Sequence, residues 1–191
     1  MCKVREYNNT HMKEVKEELL ANDIKKLFTN FLQNKFPVEG LGYEIMYGTS
    51  RRVVDMLAII RGRTYAIEIK SAADNIKRLS GQIEEYQKVF DYIIVVASKK
   101  HCEEIRALID KNIGLYAIDN SQITLLKHPY LNKKQEKIEI LNTIPSNLIK
   151  RHYRIKGRLN SDEIRIKASL KAKLEIHHFF LRYLLKKINA I

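Results

Sequence analysis

Apolar residues recur every three to four positions across residues 11–34, at Met12, Val15, Leu19, Leu20, Ile24, Leu27, Phe28 and Phe31. That spacing predicts an amphipathic helix. The pattern then changes period. Gly42–Gly48 reads as a short strand between glycines, and Val53–Ile60 and Thr64–Lys70 read as two strands joined through Arg61, Gly62 and Arg63 as a hairpin. Ala73–Phe90 returns to helical spacing, with Asp74 as its expected N-cap and Ile76, Leu79, Ile83, Tyr86 and Phe90 on one face. Asp91–Ser98 is a continuous apolar run, the signature of a strand buried on both faces. A helix over Lys99–Asn112, ending at Gly114, precedes two late strands at Leu115–Asp119 and Ile123–Leu126. The predicted order is α-β-β-β-α-β-α-β-β, a three-layer α/β arrangement around a mixed sheet.

Past residue 127 the pattern turns polar and basic, and a soft boundary falls there: a core over 1–126 and an extension over 127–191. Ser161, Asp162 and Glu163 offer an N-cap and an acidic first turn for one or two helices running to about Asn189. Charge sharpens this division. The net charge of the 191 residues is +13, but residues 1–126 carry 19 Lys and Arg against 17 Asp and Glu, whereas residues 127–191 carry 16 against 5. A basic segment of this kind points to a polyanion, most often nucleic acid held by its phosphates; a solvated tail and an anionic membrane surface are the alternatives. No run approaches ~18 consecutive apolar residues, the N-terminal stretch has no apolar signal core, and Cys2 and Cys102 form no CxxC pair. The expectation is a cytoplasmic protein with reduced thiols and no membrane contact.

The hairpin raises a chemical problem. It places Asp55, Glu68 and Lys70 in strands that are otherwise apolar, where charges cost several kcal/mol unless paired or coordinated. If Arg61-Gly62 is a two-residue turn, Ile60 faces Arg63 and Asp55 faces Glu68, with Lys70 on the same sheet face two residues on. A three-residue turn would shift that register. Two facing carboxylates repel unless a cation lies between them or one keeps a proton. A hard divalent cation with oxygen ligands solves this, and beside a lysine it suits phosphodiester hydrolysis.

Asp55, then Glu68-Ile69-Lys70 after twelve intervening residues, resembles the PD-(D/E)XK, or restriction-endonuclease-like, nuclease superfamily, closest to its small uncharacterised bacterial and phage branches. The resemblance extends over Arg52–Ser98 through Ser71, Asp74, Arg78-Leu79, Gln82, Tyr86 and Phe90-Asp91. It implies a restriction-endonuclease-like core with a basic, mainly helical C-terminal extension. It implies a Mg²⁺-dependent DNA nuclease, with Mn²⁺ as a substitute. Asp55, Glu68 and the Ile69 carbonyl would hold the metal, with Glu18 favoured among Glu14, Glu17 and Glu18 as a further ligand. Lys70 would orient or activate the attacking water. Gln82 and Tyr86 match a QxxxY pattern that supports the active site and binds DNA, and Arg52, Ser71 and Arg78 would assist. Gly48–Arg52 is similar to the glycine-serine-arginine loop of junction-resolving relatives, and Val54 replaces the nominal proline.

Each feature has a plainer reading. Asp55 and Lys70 would form an ion pair at strand ends with Glu68 solvated; Gln82 would be exposed and Tyr86 a core aromatic; the glutamates of the first helix would be a solvated face. Arg51, Arg52, Arg61 and Arg63 would contact phosphates or suppress edge pairing. The six histidines show no metal-ligand spacing and receive no role. Leu148–Arg158 interleaves aromatic and basic residues, as a DNA arm or a basic linker does. Phe179, Phe180, Tyr183, Leu184 and Ile188 would pack the last helix on the core or on a second subunit of a homodimer. The competing function is a catalytically silent or partner-dependent DNA-binding subunit of a phage, mobile-element or defence system; RNA is a third substrate option.

Overall fold

The structure, a computed structural model, describes residues 19–188. Helix α1 (Ala21–Lys35) precedes strands β1 (Val38–Tyr47), β2 (Arg52–Ile60) and β3 (Arg63–Lys70). Then follow α2 (Leu79–Gln87), β4 (Tyr92–Ser98), a 3-10 turn leading into α3 (Cys102–Leu108), β5 (Gly114–Asp119) and β6 (Gln122–Lys127). Among the described residues four helices follow: α4 (Lys137–Asn142), α5 (Ser146–His152), α6 (Ser161–Ser169) and α7 (Lys173–Ile188). The six strands form one sheet in chain order. β1–β2, β2–β3 and β5–β6 pair antiparallel, and β3–β4 and β4–β5 pair parallel. Helices cover both faces, so the fold is α/β with a mixed sheet between helical layers. Among the described residues no helix is long and apolar enough to cross a membrane.

The two faces divide the core. Ile24, Phe28 and Leu32, spaced four apart on α1, bury against Met56, Ala58, Ile67, Ile69, Ile94 and Val96. The opposite face is closed by Leu79, Ile83 and Tyr86 of α2, by Cys102 and Ile105 of α3, and by Ile140, Ile149, Ile164, Phe180 and Leu184 of the last four helices. Residues beyond 127 therefore share the core of the sheet and build none of their own. Leu148–Arg158 is neither a free arm nor a linker: it is α5 and the turn after it, with Tyr153 and Ile155 packed on that core. Phe180, Leu184 and Ile188 close α7 on the same chain. Gly42 shows how closely α7 lies over β1, since a Cβ there would come within 2.9 Å of Ile188.

Several local expectations are corrected. β1 begins at Val38, so Gly42 lies inside the strand together with Gly40, while Gly48 follows its end at Tyr47. Asp74 caps no helix: its carboxylate accepts the Ser71 N–H at 2.7 Å and the Ser71 hydroxyl at 2.6 Å, bracing the loop after β3, and α2 starts only at Leu79. Gly114 opens β5, tight against Pro129, and stops no helix. The cap of α6 is Asn160, one residue before Ser161; it accepts from the N–H groups of Asp162 and Glu163, and Glu163 reaches back to the Asn160 N–H.

Candidate functional site

The hairpin turns through Arg61 and Gly62, whose φ values of 50° and 64° are both left-handed, as a two-residue turn of this hand requires. Ile60 therefore pairs with Arg63, and the ladder runs back to Met56 opposite Ile67. One step further this register brings Asp55 to Glu68. There the side chain takes over from the backbone, as Asp55 Oδ2 accepts the Ile69 N–H at 2.9 Å. Opposite Asp55 on the other flank, β1 kinks at Glu44, whose φ is 50°.

Glu68 is 1% exposed and sits at the centre of a polar cluster. Its Oε1 accepts Lys70 Nζ at 2.7 Å and Gln82 Nε2 at 2.6 Å, and its Oε2 accepts the Tyr86 hydroxyl. Lys70 Nζ also donates to Gln82 Oε1 at 3.1 Å. Gln82 and Tyr86 reach the same carboxylate because four residues on α2 make one helical face. The Tyr86 ring lies in the core, as its plainer reading has it, and its hydroxyl donates to Glu68. Burial and the Glu68 charge push the Tyr86 phenol above the usual tyrosine range. Glu68 is thus not solvated, and Lys70 pairs with Glu68 where the plain reading paired it with Asp55.

Asp55 is the unsettled member. Burial, then the negative charge of Glu68, raise its pKa to about 6, against the opposing pull of the Ile69 N–H and of Lys25. Lys25 of α1 ion-pairs with Glu44, and both charges are felt at Asp55. Nothing in the local sequence pattern links position 25 to position 44, so this pair is not legible there. Ser71 is held by Asp74, whereas Arg52 and Arg78 are exposed and stand outside the hydrogen-bonded cluster. Arg52 does lie close enough to act on Tyr47 and Glu85. Glu14, Glu17 and Glu18 lie outside the described residues.

Asp55 and Glu68 supply hard oxygen donors of the kind Mg²⁺ takes, and their mutual repulsion is what a dication relieves. The Ile69 N–H ties that residue to Asp55. Among the described residues no three His, Cys, Asp or Glu side chains converge to hold a metal, so the pair would need a further donor from water or from elsewhere.

Fold and site together define an α/β protein with a buried acid–lysine–tyrosine cluster at the end of its third strand. The family described as "Bacteriophage P4 protein cII" matches residues 12–189, and the chain belongs to that family. It is 32% identical over 69 residues to "Protein cII" of Enterobacteria phage P4; this stretch covers 35% of the chain and 26% of that relative, about a quarter of its length. A solved structure of a protein of unknown function from Silicibacter pomeroyi superposes with a TM-score of 0.39 and 17% identity, covering 63% of this chain and 84% of that one.

Proposed function

We propose that this protein is a divalent-metal-dependent nuclease of the PD-(D/E)XK class that hydrolyses DNA phosphodiester bonds. The observation that carries the reading is the Asp55–Glu68 pair, two carboxylates near enough that the charge of one raises the pKa of the other, with Lys70 held on Glu68. A site of this charge pattern is costly to build unless something uses it.

Asp55 and Glu68 would hold the cation. When bound, Mg²⁺, or Mn²⁺ in its place, supplies Lewis-acid activation of a water and neutralises charge on the phosphate. Tyr86 and Gln82 fix the rotamer of Glu68, so its oxygens are placed before substrate arrives. Lys70, 2.7 Å from Glu68, keeps an ammonium beside the attacked phosphate and orients the water. The Ile69 N–H restrains Asp55 Oδ2. Exposed Arg52 and Arg78 and the basic C-terminal helices draw the DNA backbone to the site. The reading places the protein in the cytoplasm, and a homodimer would bring two sites to the two strands.

One observation favours the second reading, a silent or partner-dependent DNA-binding subunit. Each oxygen of Glu68 already has a protein donor, and the described residues offer no third acidic ligand. A cleavage assay decides between them, on single-stranded, duplex, branched and circular DNA, with RNA alongside, in Mg²⁺ or Mn²⁺. The nuclease reading expects metal-dependent cutting that falls by about a thousand-fold in Asp55→Ala and in Lys70→Ala. Salt-dependent binding without cutting, indifferent to both substitutions, would move the assignment to the silent subunit.

A further inference from the structure

The turn between β1 and β2 meets α4, α6 and α7 at a cleft of about 220 Å³ that takes no part in the Asp55–Glu68 cluster. Three cations from three separate elements line it: Arg51 from the turn, Arg165 from α6 and Lys187 from α7. The turn is not free to swing away. Gly48 N–H donates to the Thr143 hydroxyl at 3.0 Å, and the Thr49 N–H and hydroxyl reach Glu139 of α4 at 2.9 and 2.7 Å. The cations are therefore held together by the fold.

Their own partners are poor. Arg165 has 18% of its side chain exposed and an ion pair at 3.6 Å to Asp162, yet its Nε is buried with no hydrogen-bond partner among the described residues. Lys187 Nζ meets the Met46 carbonyl at 3.4 Å, and Arg51 Nε meets the weakly accepting Met46 Sδ at 3.2 Å. Burial and the Arg51 charge hold Lys187 below the usual lysine range. Glu139, the acid at the rim, already accepts from Thr49. Donors are in excess and acceptors are short, a balance that an anion with several oxygens would restore.

A second cleft of about 250 Å³ adjoins the first through Tyr183. It brings Arg151, Arg182 and Lys186 beside the stacked rings of His152 and Phe179, 3.9 Å apart. In the other direction two buried rings separate the first cleft from the candidate site: its wall residue Tyr47 has its ring centroid 5.5 Å from that of Tyr86, whose hydroxyl binds Glu68. We infer that the two clefts are a track for the phosphodiester backbone of a nucleic-acid strand, with Arg51, Arg165 and Lys187 holding one phosphate away from the Asp55–Glu68 pair. Two neighbouring cationic clefts that share the wall residue Tyr183 suit a polymer of phosphates better than a lone anion. That the occupant is a nucleic acid rests on the nuclease reading; the shortage of acceptors does not.

The test is binding of labelled DNA in EDTA, followed by anisotropy across a salt series, so that no cleavage enters the result. Arg51→Gln combined with Lys187→Gln is expected to weaken binding at least ten-fold. It should also lower the slope of log affinity against log salt by about 0.7–0.9, the share of one phosphate. Lys111→Gln, at an exposed position before β5, should bind as the wild type does. Arg51→Gln alone, at an exposed turn residue, gives the same result in smaller measure if the double variant folds poorly. Affinity and slope unchanged in both Arg51 variants would overturn the track. Inorganic phosphate displacing the DNA at equal concentration would also overturn it, leaving a simple anion pocket. Neither outcome depends on whether the wild-type protein cuts, which Asp55→Ala reports separately.

Discussion

Strand β3 carries a carboxylate cluster at each end, and the two are built on different principles. At its start, Asp91 accepts the Thr64 N–H and hydroxyl at 2.9 Å each, with Arg63 and Gln135 at 3.4 Å and His177 at 3.7 Å; Thr64 Oγ in turn accepts the Asp91 N–H at 3.0 Å. One acid meets a surplus of donors drawn from β3, α7 and the loop before α4. At the end of β3, Glu68 is equally buried and equally bonded, but burial and the charge of Glu68 push a second acid, Asp55, towards the neutral form. Burial of an acid is therefore not what separates the clusters. Repulsion left unresolved is, and a protein keeps such a cost where a ligand or a reaction removes it.

The largest effect expected from breaking this contrast is on cleavage. Glu68→Gln keeps the shape of the centre and removes one negative charge, and should lower metal-dependent cleavage by about a thousand-fold. Asp91→Asn should leave the rate per folded molecule unchanged. Equal losses in both, measured on samples matched for folded fraction, would show that the two clusters do not differ in kind. Next in size is stability. Asp91→Ala orphans the Thr64 donors and the buried side of His177, and should cost about 3–4 kcal/mol in chemical denaturation. A loss under about 1 kcal/mol would mean that water replaces the carboxylate there, and that Asp91 is not the tie it is taken to be.

The sequence carried much of this, and its gaps have physical causes. The order of strands and helices up to β6 follows from hydrophobic period and turn residues, and the Asp55–Glu68 register follows once Arg61 and Gly62 make the turn as a pair. Asp74 was misplaced because an aspartate before a helical pattern caps equally well the helix or the loop ahead of it, and Ser71 offered two donors close by. Asn160 and Ser161 are both good caps, and the capping box to Glu163 favours the first. The role of residues 137–188 was hidden for a different reason. α4 and α5 have six and seven residues, too few for periodicity to stand out from the surrounding lysines. The Lys25–Glu44 pair and the Arg51–Arg165–Lys187 cleft join distant parts of the chain, which no local pattern encodes.

Asp55 gives the comparison a pH signature. Its folded pKa of about 6 lies above the ordinary 3.8. Between those values the native protein holds a proton that the unfolded chain has released. The metal-free protein should therefore lose stability as pH rises from about 4 to about 6, and stay level in this respect above it. Asp55→Asn should abolish that slope and be more stable than wild type at neutral pH by on the order of 1–2 kcal/mol. Saturating Mg²⁺ should flatten the slope in the wild type and do nothing in the variant. A wild-type slope of the same size with and without Mg²⁺ would count against a cation held by this pair.

The smallest expected effect tests the Asp91 side. Arg63 lies 3.4 Å from Asp91 but keeps 45% of its side chain exposed, so its charge is well hydrated and its pairing is weak. If Asp91 is satisfied by the Thr64 N–H and hydroxyl, Arg63→Ala should cost less than about 1 kcal/mol and show little dependence on salt. A larger loss, reduced by added salt, would mean that Asp91 needs a cation after all. Both ends of β3 would then depend on compensating charge. The distinction between them would become one of degree, with Asp55 alone left under unresolved repulsion.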